Sequence, residues 1–136
     1  MKDLQTPKND LYYTHDHEWV NFLGSVAYVG VCAFKLTGIR QIRQVEFECL
    51  RDFKKAGDML ATIFSGEYKI PVHMPVDGEV LGYNEALLDG NRDILLQQPE
   101  KNGWIVFIVP SSISERSGLL LPEQYMNRNK RNFVNP

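Results

Sequence analysis

The chain has few of the features that mark specialised classes of protein. Only two cysteines occur among its 136 residues, Cys32 and Cys49. They form neither a Cys-x-x-Cys pair nor a dense framework, so reduced, structural thiols are expected. Histidine is nearly as scarce, at three residues. His15 and His17 would share one face of a strand, but no acidic or cysteine partner joins them at ligand spacing, and no metal site is expected. His73 has no nucleophile or carboxylate partner visible in the sequence and reads as an ordinary strand residue. An excess of positive charge is also missing. A formal net charge of −2 and a pI near 5.9 leave no field to hold a phosphate backbone, which excludes nucleic acid as a main partner. No run is apolar over the length of a bilayer crossing, and Met1–Pro7 lacks the hydrophobic core of a signal peptide; no membrane association and a cytoplasmic location are expected. No repeat recurs at a solenoid period.

What remains is an ordinary globular composition at the size of one domain, enough to bury a core without disulfides or metal. The polar segment 1–10 reads as a flexible arm, and the Asn-, Lys- and Arg-rich segment 127–136 as a flexible tail, with the folded domain at 11–126. Within it, β-branched and aromatic residues gather in short runs bounded by polar or glycine-containing turns. Strands are expected at Tyr13–Val20, Ser25–Val31, Ile42–Glu48, Met59–Phe64, Tyr68–His73, Glu79–Tyr83 and Gly103–Val109. The nearly continuous apolar run Val26–Val31 predicts a central strand. Ser65-Gly66-Glu67 between two runs predicts a hairpin with an exposed tip, and Pro71 places its second arm at a sheet edge.

Helical signals are few. Ser112-x-x-Glu115 has the form of a capping box, and Pro122 can open a short helix through Met126. Leu119, Leu120 and Leu121 would dock this terminus on the sheet. Trp19 and Trp104 read as core aromatics, and Lys54-Lys55 as a solvated turn. Short strands with few helices imply a mainly β protein, a β-sandwich or flattened barrel.

Three motifs add a family resemblance. Tyr13-Thr14-His15-Asp16-His17-Glu18-Trp19-Val20 closely resembles the opening Tyr-Thr-x-x-His-Glu-Trp-Val of glycine cleavage H proteins. Pro75-Val76-Asp77-Gly78-Glu79-Val80 with Asn84-Glu85-Ala86-Leu87 resembles that family's Pro-Val-Ser-Gly-Glu-Val and Asn-Glu-Ala-Leu. Gly103-Trp104-Ile105 followed by Pro110-Ser111 is similar to its approach to the C-terminal helix. The resemblance spans roughly Tyr12 to Tyr125, in the family's order. It implies a lipoyl-domain-like β-sandwich with a short C-terminal helix, carrying a lipoyl lysine at a hairpin tip. Such a protein is a shuttle, not an enzyme. Its lipoyl arm takes an aminomethyl group from glycine decarboxylase, passes it to aminomethyltransferase, and is reoxidised by dihydrolipoamide dehydrogenase.

The family's lysine stands ten places after a glycine and eight before the proline of Pro-Val-x-Gly-Glu; counted from Gly57 and from Pro75, both distances end on Glu67. Phe64 replaces the Glu of the family's Glu-Ser-Val-Lys, Gly66 its Val, and Pro71 stands where an acidic residue follows the lysine. Lipoylation requires a primary amine as nucleophile, which a carboxylate cannot supply. Lys69, two residues on, would reach the tip only if the hairpin slipped with compensating bulges. The expectation is therefore a noncatalytic H-protein-like binding or scaffold module without a cofactor, in contact with glycine cleavage or lipoate-attaching enzymes. The alternative is a carrier lipoylated at Lys69.

Overall fold

The computed structural model describes residues 11–48, 52–88, 90–112 and 118–134, the last six without their side chains. Among the described residues nine strands occur in chain order: β1 (Leu11–Tyr13), β2 (Glu18–Leu23), β3 (Val26–Val31), β4 (Gln44–Phe47), β5 (Phe53–Lys54), β6 (Met59–Ser65), β7 (Tyr68–His73), β8 (Gly78–Tyr83) and β9 (Val106–Pro110). A single helical turn, α1 (Ile94–Gln97), precedes β9, and α2 (Pro122–Val134) follows it. The strands form two sheets, one of six in the order β1-β2-β3-β9-β8-β5 and one of three in the order β4-β6-β7. The architecture is thus mainly β and not a closed barrel, as expected. Among the described residues no helix is long and apolar enough to cross a membrane.

Alternation along the strands builds the main core. Val20 and Phe22 of β2, Val29 and Val31 of β3, Val80 of β8 and Ile108 of β9 meet Val45, Ile63 and Val72 of the smaller sheet in one buried cluster. Each such side chain contributes about 1.5–3 kcal/mol of hydrophobic stabilisation. β3 lies inside the larger sheet, and its last three residues are all buried. β7 is an edge, with Pro71 opposite Thr62; a residue without an N–H is tolerated there.

A second, smaller cluster lies around Tyr13, Trp19, Cys32 and Tyr125. Trp19 is fixed by its indole N–H, which lies within hydrogen-bonding distance of the carbonyls of Val31 (3.1 Å) and Pro99 (2.9 Å). Its register partner is Gly30, where a Cβ would stand 2.5 Å from the indole ring. Trp104 is half-buried, packs against this second cluster and makes ring contacts with Tyr28 and Phe107, at the margin of the core.

Three local expectations differ. The strand expected over Tyr13–Val20 is broken by a turn at Thr14–His17. The Thr14 hydroxyl accepts from the N–H groups of Asp16 and Glu18, and His17 takes a left-handed φ of 66°. Side-chain hydrogen bonds of this kind compete with the ladder. Lys54 closes the short strand β5, and the turn begins after it, at Lys55. The C-terminal helix does not fray at Asn127 but runs to Val134. A composition poor in apolar residues suggested a tail, yet neither Gly nor Pro follows Pro122 within it, so a nucleated first turn propagates. Tyr125 anchors that first turn by stacking on Tyr13, ring centres 4.4 Å apart. Leu120 pairs with Tyr13 through two backbone hydrogen bonds, the docking expected of the leucine patch. Glu115 of the capping box, Cys49, and the arm 1–10 lie outside the described residues.

Candidate functional site at the hairpin tip

β6 and β7 pair in continuous register near their turn, with Ser65 opposite Tyr68, Phe64 opposite Lys69 and Ile63 opposite Ile70. The one irregularity of this ladder lies between Met59 and Ala61, far from the tip. Gly66 and Glu67 therefore form a two-residue loop. Gly66 has φ 59° and Glu67 does not have positive φ, the pattern of a type II′ turn, in which glycine is favoured at the first central position. Glu67, Tyr68 and Lys69 are all exposed.

The tip is braced from one side by the segment 38–43. The Ser65 hydroxyl donates to the Gln41 carbonyl at 2.6 Å, and the Arg43 N–H donates to the Phe64 carbonyl at 2.8 Å. The Phe64 ring has two cationic neighbours, the Arg43 guanidinium at 5.4 Å and the Lys69 ammonium at 5.9 Å from its centre. Such contacts are attractive and hold both side chains near the ring. Thus Lys69 sits one pair inside the ladder, its alkyl chain turned toward Phe64, and Glu67 occupies the turn.

A lipoyl amide at the tip needs an amine where Glu67 stands. Its carboxylate offers none, and the residues at that position do not fit the group. Lys69 has the amine, but the register contains neither bulge that a slip to the tip would require.

A second constellation lies at the far end of β7. The buried Glu18 carboxylate accepts from Lys35 Nζ at 2.9 Å, from the His73 backbone N–H at 2.8 Å and from the Thr14 hydroxyl at 3.2 Å. His73 Nδ1 lies 2.6 Å from Asp16 Oδ2 and 3.0 Å from Glu18 Oε2, so the ring is oriented with its Nδ1 proton toward two carboxylates. Burial alone would raise the Asp16 carboxyl, but the hydrogen bond and charge of Lys35, with His73, hold it below the usual range. Asp16, Glu18 and His73 present ligand atoms within 4.8 Å of one another. Lys35 already supplies the cation there, 2.9 Å from Glu18 and 3.1 Å from Asp16, so the arrangement reads as a structural ion-pair network. No local spacing disclosed it, because its members are 17 and 55 residues apart in sequence.

The two histidines placed on one strand face are separated by the turn. His15 is exposed, whereas His17 is half-buried, its Nδ1 2.8 Å from the Tyr125 hydroxyl and its ring beside Phe34. Cys32 is buried, and burial pushes its thiol up to about 12, far from a reactive thiolate.

Comparison with known proteins agrees with this architecture. The family model for "Glycine cleavage H-protein" matches residues 11–132. The chain is 31% identical over 122 residues to the glycine cleavage system H protein of Bacteroides thetaiotaomicron, covering 90% of this chain and 95% of that one. It is 34% identical over 122 residues to the corresponding protein of Halothermothrix orenii, covering 90% of this chain and 94% of that one. A crystal structure of a glycine cleavage system H protein from Mycobacterium marinum has the same fold, with a TM-score of 0.74 at 22% identity, covering 90% of this chain and 98% of that one. The chain belongs to the glycine cleavage H-protein family.

Proposed function

We propose that this protein is a noncatalytic H-protein-like module that carries no lipoyl group and serves as a binding or scaffold partner of glycine cleavage or lipoate-attaching enzymes. Family membership and the overall surface it brings support a partner among glycine decarboxylase, aminomethyltransferase, dihydrolipoamide dehydrogenase and the enzymes that attach lipoate. The observation that carries the reading is Glu67 in the exposed turn of an unbroken hairpin, with Phe64 in place of the family's acidic residue. Acceptor and local charge pattern are changed together. A module of this kind would work in the cytoplasm.

A second reading rests on Lys69, whose exposed amine lies two residues past the family position. If it were lipoylated, the protein would be an aminomethyl shuttle with a displaced arm. Co-expression with a lipoate ligase and free lipoate separates the two. The expected result is an unmodified intact mass, while a family H protein in the same cells is modified. A lipoyl amide mapped to the peptide around Phe64–Met74 and lost in Lys69→Ala would establish the shuttle instead.

A further inference from the structure

Beside the hairpin tip the segment 38–43 and the turn enclose an open cavity of about 580 Å³. Three arginines border it, Arg40, Arg43 and Arg92, together with Ser65, Gly66 and Tyr68. No acidic residue lines it, and no carboxylate pairs with any of the three among the described residues. Glu67 follows Gly66 in the chain but does not border the cavity. This is unusual on a molecule of net charge −2, where acidic groups outnumber basic ones. Cations left unmatched around a concave surface repel one another and attract a counter-anion.

Arg92 adds a second observation. It is half-buried just before α1, and its Nε is shielded from solvent without a hydrogen-bond partner among the described residues. Arginine can only donate, and its fork suits the oxygens of phosphate or carboxylate. Arg43 is held toward the tip by Phe64, so one fork is pre-positioned at little entropic cost. The exposed Tyr68 ring also borders an adjoining hollow of about 350 Å³ that includes Lys69. Apolar and aromatic surface is therefore available beside the charged end. The larger cavity falls within the size range of small-molecule sites.

We propose that this cavity binds a small molecule bearing a phosphate monoester, whose oxygens are held by the guanidiniums of Arg40, Arg43 and Arg92 while its body lies against Tyr68. A dianionic head group matches three guanidiniums better than a single carboxylate does. The inference does not depend on whether Lys69 is modified.

The test is an NMR titration of the intact protein with inorganic phosphate and with phenyl phosphate at constant ionic strength. Saturable shifts are expected at the Arg92 Nε–H and at the Gly66 and Tyr68 amides, with phenyl phosphate binding more tightly. Arg92→Gln should weaken binding by about tenfold or more. The exposed pair Arg40→Gln/Arg43→Gln, which leaves the core untouched, should do the same while preserving the remaining spectrum. Non-saturating shifts up to about 10 mM ligand, a concentration that would fill most of even a millimolar site, would overturn the proposal. So would unchanged affinity in the folded double variant.

Discussion

At the scale of single residues, the buried charge of Glu18 is the feature whose removal should matter most to stability. Its side chain is 1% exposed and that of Lys35 is 9% exposed, with 2.9 Å between the charged atoms. Breaking such a pair from one side leaves an ion without its partner in a poorly solvated place, which costs about 3–5 kcal/mol. Glu18→Gln should fall near the lower end of that range, because Asp16 remains 3.1 Å from the ammonium. Replacing both partners, as in Glu18→Gln/Lys35→Met, removes the orphaned charge. The double variant should therefore be more stable than Glu18→Gln in urea unfolding. If it is less stable by the sum of the two single losses, the pair is not coupled and the network reading fails. Nothing near Glu18 in the sequence announces Lys35 or His73. The pairing exists because the turn at Thr14–His17 redirects Asp16 and because β7 carries His73 back to it. A reading along the chain sees the neighbours of a residue, and these partners are neighbours only after folding.

At the scale of elements, the hairpin is where sequence and structure agree most closely. Its two arms, its glycine-led turn and the place of Glu67 were legible because each depends on residues within a few positions of one another. Counting from Gly57 and Pro75 located the turn residue without any knowledge of the sheet. The arginine cavity was not legible, since Arg92 reaches it from a segment more than twenty residues away. The same local logic yields a test of what the tip lacks. Glu67→Lys restores an amine in the turn but leaves Phe64 where the family has Glu, with Arg43 and Lys69 around it. If charge near the acceptor guides the lipoylating enzyme, Phe64→Glu/Glu67→Lys should be lipoylated to a greater extent than Glu67→Lys. The native chain should remain unmodified in the same cells. Intact mass after co-expression measures all three. Equal modification of the single and double variants would show that the amine alone governs acceptance, and that Phe64 is incidental to it.

At the scale of the whole molecule, the C-terminal helix closes the fold over the opening motif, and one histidine lies in that contact. Leu120 and Tyr125 bring the end of the chain onto Tyr13, while the Tyr125 hydroxyl meets His17 Nδ1 at 2.8 Å. The helix start was readable from Pro122 and the docking of this terminus from the leucine patch, but the stack of Tyr125 on Tyr13 was not, because it joins residues more than a hundred positions apart. Burial lowers the pKa of His17, the charges of Arg128 and Lys35 lower it further, and Asp16 only partly opposes them. With the imidazole neutral, Nδ1 can accept the Tyr125 hydrogen bond, and protonation would remove that acceptor. The unfolded chain, with an ordinary histidine near 6.5, takes up the proton first as pH falls. Between that value and the lower folded one the unfolded state binds more protons, so stability rises with pH across this window. His17's contribution is complete above the unfolded value and is lost as pH falls through the folded one. Urea midpoints measured from about pH 7.5 down to about pH 5 should therefore decline. The decline should be shallower in His17→Gln, the difference between the two series isolating this residue from His15 and His73. In Arg128→Gln the His17 pKa should move back toward its ordinary value, which also shrinks the slope. Parallel curves for the native chain and His17→Gln would show that the histidine does not couple protonation to the docking of the helix.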